Sequence, residues 1–347
     1  MRKIVKAACF FLVFASVYIL LMNIFRWKDY HYQTWPNSAT VSGFYKMKKN
    51  TVDVIFLGSS QGVTGFDPQV LYDEYSIASY NLSTEQQSLV ISYFLLKEAL
   101  KYQKPSAVIL DVWMCYGNQN PLNSAESCVR KVIDEMKWSP LKIKAINKIC
   151  RLDPNLKKSS FYFLNVRYHD RWKSLAKTDF EYRQLNRPFL MKGYAAESIP
   201  WRTDAPEPLH ISEPLEGVSM QENMQVYLEK IVNVCKENNI SLLLVKTPNL
   251  GWNLKQHFSM KKFTDECNTA FYDFNIDDLY GRTGYDYAKD GEGHLDNSGA
   301  HKVTAMLGNI LLEDYSIPQS KEDAQWEDSR DFAQSIYQTI EKSHQTN

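Results

Sequence analysis

Two short stretches of this chain carry residue types that can do covalent chemistry. The first is Gly58-Ser59-Ser60-Gln61-Gly62, which closes the apolar run Val52, Val54, Ile55, Phe56 and Leu57. A serine just beyond a buried strand projects its hydroxyl into the cleft above, and backbone N–H groups of a following helix start can hold a developing oxyanion. The second is Asp290-Gly291-Glu292-Gly293-His294-Leu295-Asp296-Asn297-Ser298-Gly299, ahead of an apolar helical segment. His294 could take the proton of a serine hydroxyl, with Asp290 or Glu292 orienting its other ring nitrogen. Each stretch alone has an ordinary explanation, as hydroxyls capping a helix or as a polar glycine loop. Taken together they supply a nucleophile and a base for acyl transfer. Asp296 or Asn297 reads as the cap of the helix beginning near Gly299, and His301 as a surface residue of that helix. The glycines around Ser60 lack the spacing and the lysine of a phosphate-binding loop.

The segments between these stretches must bring them together. Residues 52–57, 79–82, 107–113, 240–245 and 269–274 are short apolar runs that read as buried strands. Asp67-Pro68 is a helix start, with the carboxylate as cap and the proline at the first helical position. Helical spacing follows over 89–101, 220–237 and 300–312. Strands alternating with helices predict an α/β fold, a mainly parallel sheet with helices on both faces. In such sheets reactive loops lie beyond the carboxyl ends of the strands. Ser60, residues 81–83, residues 113–118 and Pro248 all fall there, and Lys246-Thr247-Pro248 is expected to line the cleft. Residues 119–215 break the alternation and read as a helical and loop insertion over the active edge. Within it His169 and Arg171-Trp172 read as a solvated basic face more than as a substrate site. Residues 317–347 are polar, a peripheral helix or frayed tail.

The N-terminus bears on the compartment. Arg2, Lys3 and Lys6 precede the uncharged stretch Ala7–Phe25, and Arg26, Trp27 and Lys28 follow it. At ~1.5 Å per residue that stretch is about 28 Å long, close to the ~30 Å of a bilayer's hydrocarbon. Trp27 suits the interfacial belt and the basic residues can snorkel to headgroups. A cleavable signal is the alternative, but the apolar run is long and has no Ala-x-Ala site at its end. An uncleaved anchor over 1–28 is expected, then a connector over 29–50 and the α/β domain over 51–316. Three basic side chains before the helix against Arg26 and Lys28 after it favour an extracytoplasmic domain.

Composition narrows the function classes. Hydrophobic residues make up 44% and charged residues 23%, which excludes wholesale disorder. Lys+Arg and Asp+Glu both number 40, so no global field draws the chain to nucleic acid. The six cysteines, Cys9, Cys115, Cys128, Cys150, Cys235 and Cys267, contain no CxxC pair, and no metal-ligand spacing is present. They read as small buried hydrophobes, although some of Cys115, Cys128 and Cys150 could pair outside the cytoplasm.

The runs Val54-Ile55-Phe56-Leu57-Gly58-Ser59-Ser60 and His294-Leu295-Asp296-Asn297-Ser298-Gly299-Ala300-His301-Lys302, in this order, resemble the SGNH/GDSL hydrolase superfamily. Within it the similarity is to the membrane-anchored cell-envelope branch that includes the D-alanine-transfer protein of the teichoic acid pathway and alginate O-acetylation proteins. The resemblance covers residues 52–312. It implies a flavodoxin-like three-layer α/β/α fold, Ser60 as nucleophile and His294 as base, with no cofactor and no metal. The family's acid usually lies three residues before the histidine. That position is Gly291 here, so Asp290 is the expected acid and Glu292 the alternative. The implied oxyanion donors are Ser60, the Ser83 backbone N–H and Asn118.

The function expected on this basis is an extracytoplasmic serine esterase or O-acyltransferase acting on a cell-envelope polysaccharide or related glycopolymer. Membrane lipid and a membrane O-acyltransferase would be its partners. A non-catalytic envelope assembly or glycan-binding protein on the same fold is the competing reading.

Overall fold

A computed structural model describes residues 2–26, 37–117, 120–181, 190–204, 206–320 and 324–346. Five strands form one all-parallel sheet: β1 (Val54–Leu57), β2 (Ser79–Asn81), β3 (Ala107–Asp111), β4 (Ser241–Lys246) and β5 (Ala270–Asp273). Their order is β2-β1-β3-β4-β5, the flavodoxin-like doubly wound arrangement. Register pairs Phe56 with Asn81 on one side and with Ile109 on the other, so the ends of β1, β2 and β3 come out side by side. The connection reverses direction between β1 and β3, and a crevice opens at such a switch point.

The strands alternate inward residues between two cores. Ile55, Leu57, Val108, Leu110, Leu242 and Leu244 belong to one face, whereas Val54, Phe56, Ile109, Leu243 and Val245 belong to the other. A period of two on a sheet covered on both sides explains why the strands read as unbroken apolar runs. Helices α2 (Asn37–Phe44), α5 (Leu89–Ala99), α11 (Glu222–Glu237) and α12 (Leu254–Cys267) bury their apolar stripes on the first face. On the second lie α4 (Pro68–Tyr75), α14 (Asn297–Glu313) and α15 (Ala324–Thr346), preceded by the short α3 (Ser60–Gly65). As the sequence implies, Asp67 caps α4 by accepting from Gln69 N at 2.8 Å, with Pro68 at the helix start. The strand expected over 107–113 stops at Asp111, because Asp111 Oδ1 accepts from Trp113 N and turns the chain into a 3-10 turn over Trp113–Cys115.

Between β3 and β4 the chain forms α6 (Glu126–Ile133), α7 (Pro140–Leu152), α8 (Lys158–Tyr162), α9 (Leu164–Tyr168), a 3-10 turn (His169–Ser174) and α10 (Lys177–Glu181). Here α6 and α7 share the core of α5 through Val129, Val132, Ile146 and Ile149. Residues 191–196 run back along the sheet edge, where Lys192 O accepts from Asn81 N at 2.8 Å. Helix α13 (Asp277–Thr283) leads into the loop before α14. At the N-terminus α1 (Arg2–Phe25), with a mean hydropathy of 2.4 over its most apolar stretch, is long and apolar enough to cross a membrane. All six cysteines are free thiols, with Cys115, Cys128 and Cys235 buried.

Candidate active site

Ser60 is the first residue of α3, immediately after the turn that leaves β1. Ser59 caps this helix, its hydroxyl accepting from Gln61 N at 3.3 Å, which leaves Ser60 N–H among the unbonded donors of the first turn. The turn fits only because Gly62 has no side chain: a Cβ there would stand 2.4 Å from Ser83 Oγ. This close approach presses the Ser60 loop against the segment that leaves β2.

His294 comes from the other end of the chain, on the loop between α13 and α14. Its Nε2 lies 2.9 Å from Ser60 Oγ. With the ring proton on Nδ1, the serine hydroxyl donates to Nε2, the arrangement general-base activation requires. His294 is exposed at the cleft mouth, but the protein around its ring partly desolvates it and holds its pKa below the ordinary histidine value, while the carboxylate of Glu85 pulls the other way. The loop owes its shape to Gly291, whose φ of +99° places a would-be Cβ 2.3 Å from His294 O. Tyr285 locks the same turn by donating to the carbonyls of Asp290 (2.8 Å) and Gly291 (2.7 Å).

The two acid candidates are directed elsewhere. Asp290 is buried, and its carboxylate accepts from Ser298 Oγ, from Asp286 N (2.8 Å) and from Lys302 Nζ (2.6 Å). These contacts make it a brace between its own loop and the first turns of α14. Glu292 is half-exposed and forms an ion pair with Arg202. Among the described residues, Glu85 is an acidic side chain whose charge bears on His294. It lies in the loop after β2 and pairs with Lys131 at 2.5 Å. Of the oxyanion candidates, Ser83 N–H donates to Asn81 Oδ1 at 3.0 Å, inside the protein and away from the cleft. Asn118 lies outside the described residues. Asp296 caps α14, accepting from Ser298 N at 3.0 Å. His301, expected at the surface, instead packs edge-on against Tyr337 and hydrogen-bonds the buried Asp67 through Nε2 at 3.2 Å.

Behind Ser60 a buried polar layer ties the strand ends together. Lys246, expected to line the cleft, is wholly buried beneath it. Its ammonium donates to Thr247 O at 2.8 Å and lies 4.0 Å from the equally buried Asp111. Burial pushes the Asp111 pKa up and the Lys246 pKa down. Gln61 Oε1 accepts from Asn249 Nδ2 at 3.0 Å, and the same amide donates to Gly293 O at 3.0 Å. Leu250 N donates to Glu292 O at 2.8 Å. The loop after β4 therefore holds α3 and the His294 loop in one frame. A sequence scan for nucleophiles and bases misses Gln61, Asn249 and Glu85. Their one sequence signal is position, since each sits beyond the carboxyl end of a strand.

Beside Ser60 opens a cleft of ≈ 400 Å³, lined by Ser59 and Ser60 from the end of β1, Trp113, Met114 and Tyr116 from the end of β3, and Gln86, Asn123 and Gln256. It is the crevice between β1 and β3 that the strand order predicts. Aromatic faces flanked by side-chain amides suit a polar ligand with apolar ring faces.

No protein-family model matches the chain, and no curated protein sequence matches it. Among solved structures, the chain is similar to the crystal structure of "a putative acylhydrolase" from Bacteroides fragilis, at 12% sequence identity and a TM-score of 0.35, over 83% of this chain and 100% of that one.

Proposed function

We propose that this chain is a serine esterase or O-acyltransferase that works through an acyl-enzyme on Ser60. The observation that carries the reading is the 2.9 Å contact between Ser60 Oγ and His294 Nε2 at the mouth of the switch-point cleft. Ser60 Oγ attacks an acyl carbonyl while its proton passes to His294 Nε2. The oxyanion that forms lies within reach of the Ser60 N–H. Collapse of the adduct expels the alcohol, which recovers the proton from His294, and the acyl group stays on Ser60 as an ester. Water or a sugar hydroxyl, deprotonated by His294, then releases it. The imidazolium formed in each half-reaction is stabilised by the field of Glu85. Asp290 and Glu292 stay with Lys302 and Arg202.

The cleft and the apolar α1 support a substrate class. Trp113 and Tyr116 offer faces for sugar rings, and Gln86 and Gln256 offer amides for hydroxyls. With α1 in the membrane and the domain outside it, a glycopolymer of the cell envelope is the substrate in reach, and a membrane O-acyltransferase a fitting acyl donor. Incubation with a fluorophosphonate probe and turnover of 4-nitrophenyl acetate test the core of the reading. Wild type should label and turn over, and Ser60→Ala should do neither. Equal rates for the two proteins would refute it.

A second reading, a non-catalytic glycan-binding or assembly protein, is favoured by the hydrogen bonds that direct both expected acids away from His294. It requires an unlabelled wild type that still binds glycopolymer.

A further inference from the structure

Outside α1, four exposed large apolar side chains, three of them aromatic, fall in one short stretch of the insertion. Phe163 is 58% exposed, Trp172 63% and Phe180 62%, and Val166 is exposed beside them. The stretch also carries Arg167, Arg171, Lys173 and Lys177 against only Asp170 and Asp179. Aromatic side chains interleaved with basic ones are the composition of a bilayer interface.

The second observation is where this stretch sits. Residues 2–17 of α1 are exposed, whereas Tyr18 and residues 22–26 are partly covered by the domain. The cover is the same stretch of insertion. Tyr18 OH donates to Asn165 Oδ1 at 2.7 Å. Arg171 donates to the carbonyls of Phe25 (3.4 Å) and Arg26 (2.9 Å), which satisfies orphan acceptors at the helix end and places a cation at its negative pole. Asp179 grips the same guanidinium with both oxygens, at 2.8 and 3.0 Å. Arg26 in turn pairs with Glu135 at 3.2 Å. Tyr18 lies about 10 Å along the axis from Phe25 at ~1.5 Å per residue. A segment bonded at both levels flanks the last two turns of the apolar helix. If α1 spans a bilayer to Phe25, then α9 and the turn after it stand at the depth of headgroups and upper acyl chains.

We infer that residues 163–180 form a membrane-docking element that inserts Phe163, Trp172 and Phe180 into the lipid interface around the end of α1. The occupant of this apolar face is the bilayer that holds the anchor, because the face continues the lipid-facing surface of α1. The element fixes the tilt of the α/β domain on the membrane, and with it the height of the Ser60 cleft. This inference rests on α1 being a membrane anchor and is independent of the chemistry at Ser60.

The test uses the full chain in vesicles of phosphatidylcholine and phosphatidylglycerol, with its native cysteines replaced by alanine. Spin labels are placed singly by Leu20→Cys, Phe163→Cys, Trp172→Cys and Trp201→Cys, and collision with oxygen is compared with collision with a water-soluble nickel chelate. Labels at 20, 163 and 172 should favour oxygen, and the label at 201, on the exposed surface of the domain, should favour nickel. A label at 20 in lipid with 163 and 172 exposed to nickel overturns docking and leaves the anchor standing. A label at 20 exposed to nickel overturns the anchor itself. Labels at 163 and 172 shielded from both reagents would mean a protein partner on this face, and would overturn docking too. Should the cysteine-free chain fail to fold, native fluorescence answers the same question. Brominated lipid should quench wild type more than Trp172→Phe, and equal fractional quenching would refute the inference.

Discussion

The imidazole of His294 works as a base only while it is neutral, and its surroundings favour that form. Partial desolvation lowers its pKa and the Glu85 carboxylate raises it, with desolvation the larger effect. The activity of the proposed enzyme should therefore hold at neutral pH and fall only as pH drops through a value below the ~6.5 of a free histidine. A kcat/KM profile from pH 4 to 8 reads this directly. Glu85→Gln removes a contribution that raises the pKa, so its acidic limb should move to still lower pH. Asp290→Asn should behave differently. Its carboxylate serves Lys302, Ser298 and a backbone N–H, so the loss should appear as ~1–3 kcal/mol of stability, with the acidic limb unmoved. If the limb moves for Asp290→Asn and stays for Glu85→Gln, the roles given to the two carboxylates are reversed.

At the scale of elements, the strands and the capped start of α4 were legible because they rest on local causes. Apolar runs of strand length, Asp67-Pro68 and the spacing of α5, α11 and α14 all act within a few residues. The buried layer was not legible, because its logic lies between strands. Lys246 reads as a cleft residue until β3 sets Asp111 beside it, and nothing in the local sequence shows that Asp290 will turn to Lys302. The long α12 passed unread because its face is mixed, with only Met260, Phe263 and Thr264 buried. Two predictions belong here. Lys246→Met leaves the Asp111 carboxylate buried beside an apolar group and should cost ~3–5 kcal/mol by urea unfolding. Adding Asp111→Asn should recover part of that loss. Gly62→Ala drives a methyl group into Ser83 and should cost about 1–3 kcal/mol while displacing the Ser60 loop. Ser83→Gly, which removes the obstructing side chain, should restore turnover.

The molecule as a whole is closed by its last helix. Trp326 of α15 stacks on Tyr72 with ring centroids 4.4 Å apart, and Tyr337 donates to Asp67 at the start of α4. His344 bonds Asp296 at 2.9 Å, on the cap of the helix that follows His294. Truncation after residue 320 would strip a partner from the buried Asp67 and uncover the apolar surface under Ala333 and Trp326. The shortened chain should unfold at lower urea and bind a hydrophobic dye in the absence of denaturant, while an unchanged midpoint would make α15 a mere appendage.

The 234-residue separation between Ser60 and His294 has a further consequence for timing. A ribosome adding ~5–20 residues per second delivers His294 roughly 10 to 50 s after Ser60. Throughout that interval α1 and Ser60 have both been made, yet the imidazole that meets the Ser60 hydroxyl has not. On the function proposed above, the nascent chain would stay silent towards esters until His294 has been added and folded against Ser60.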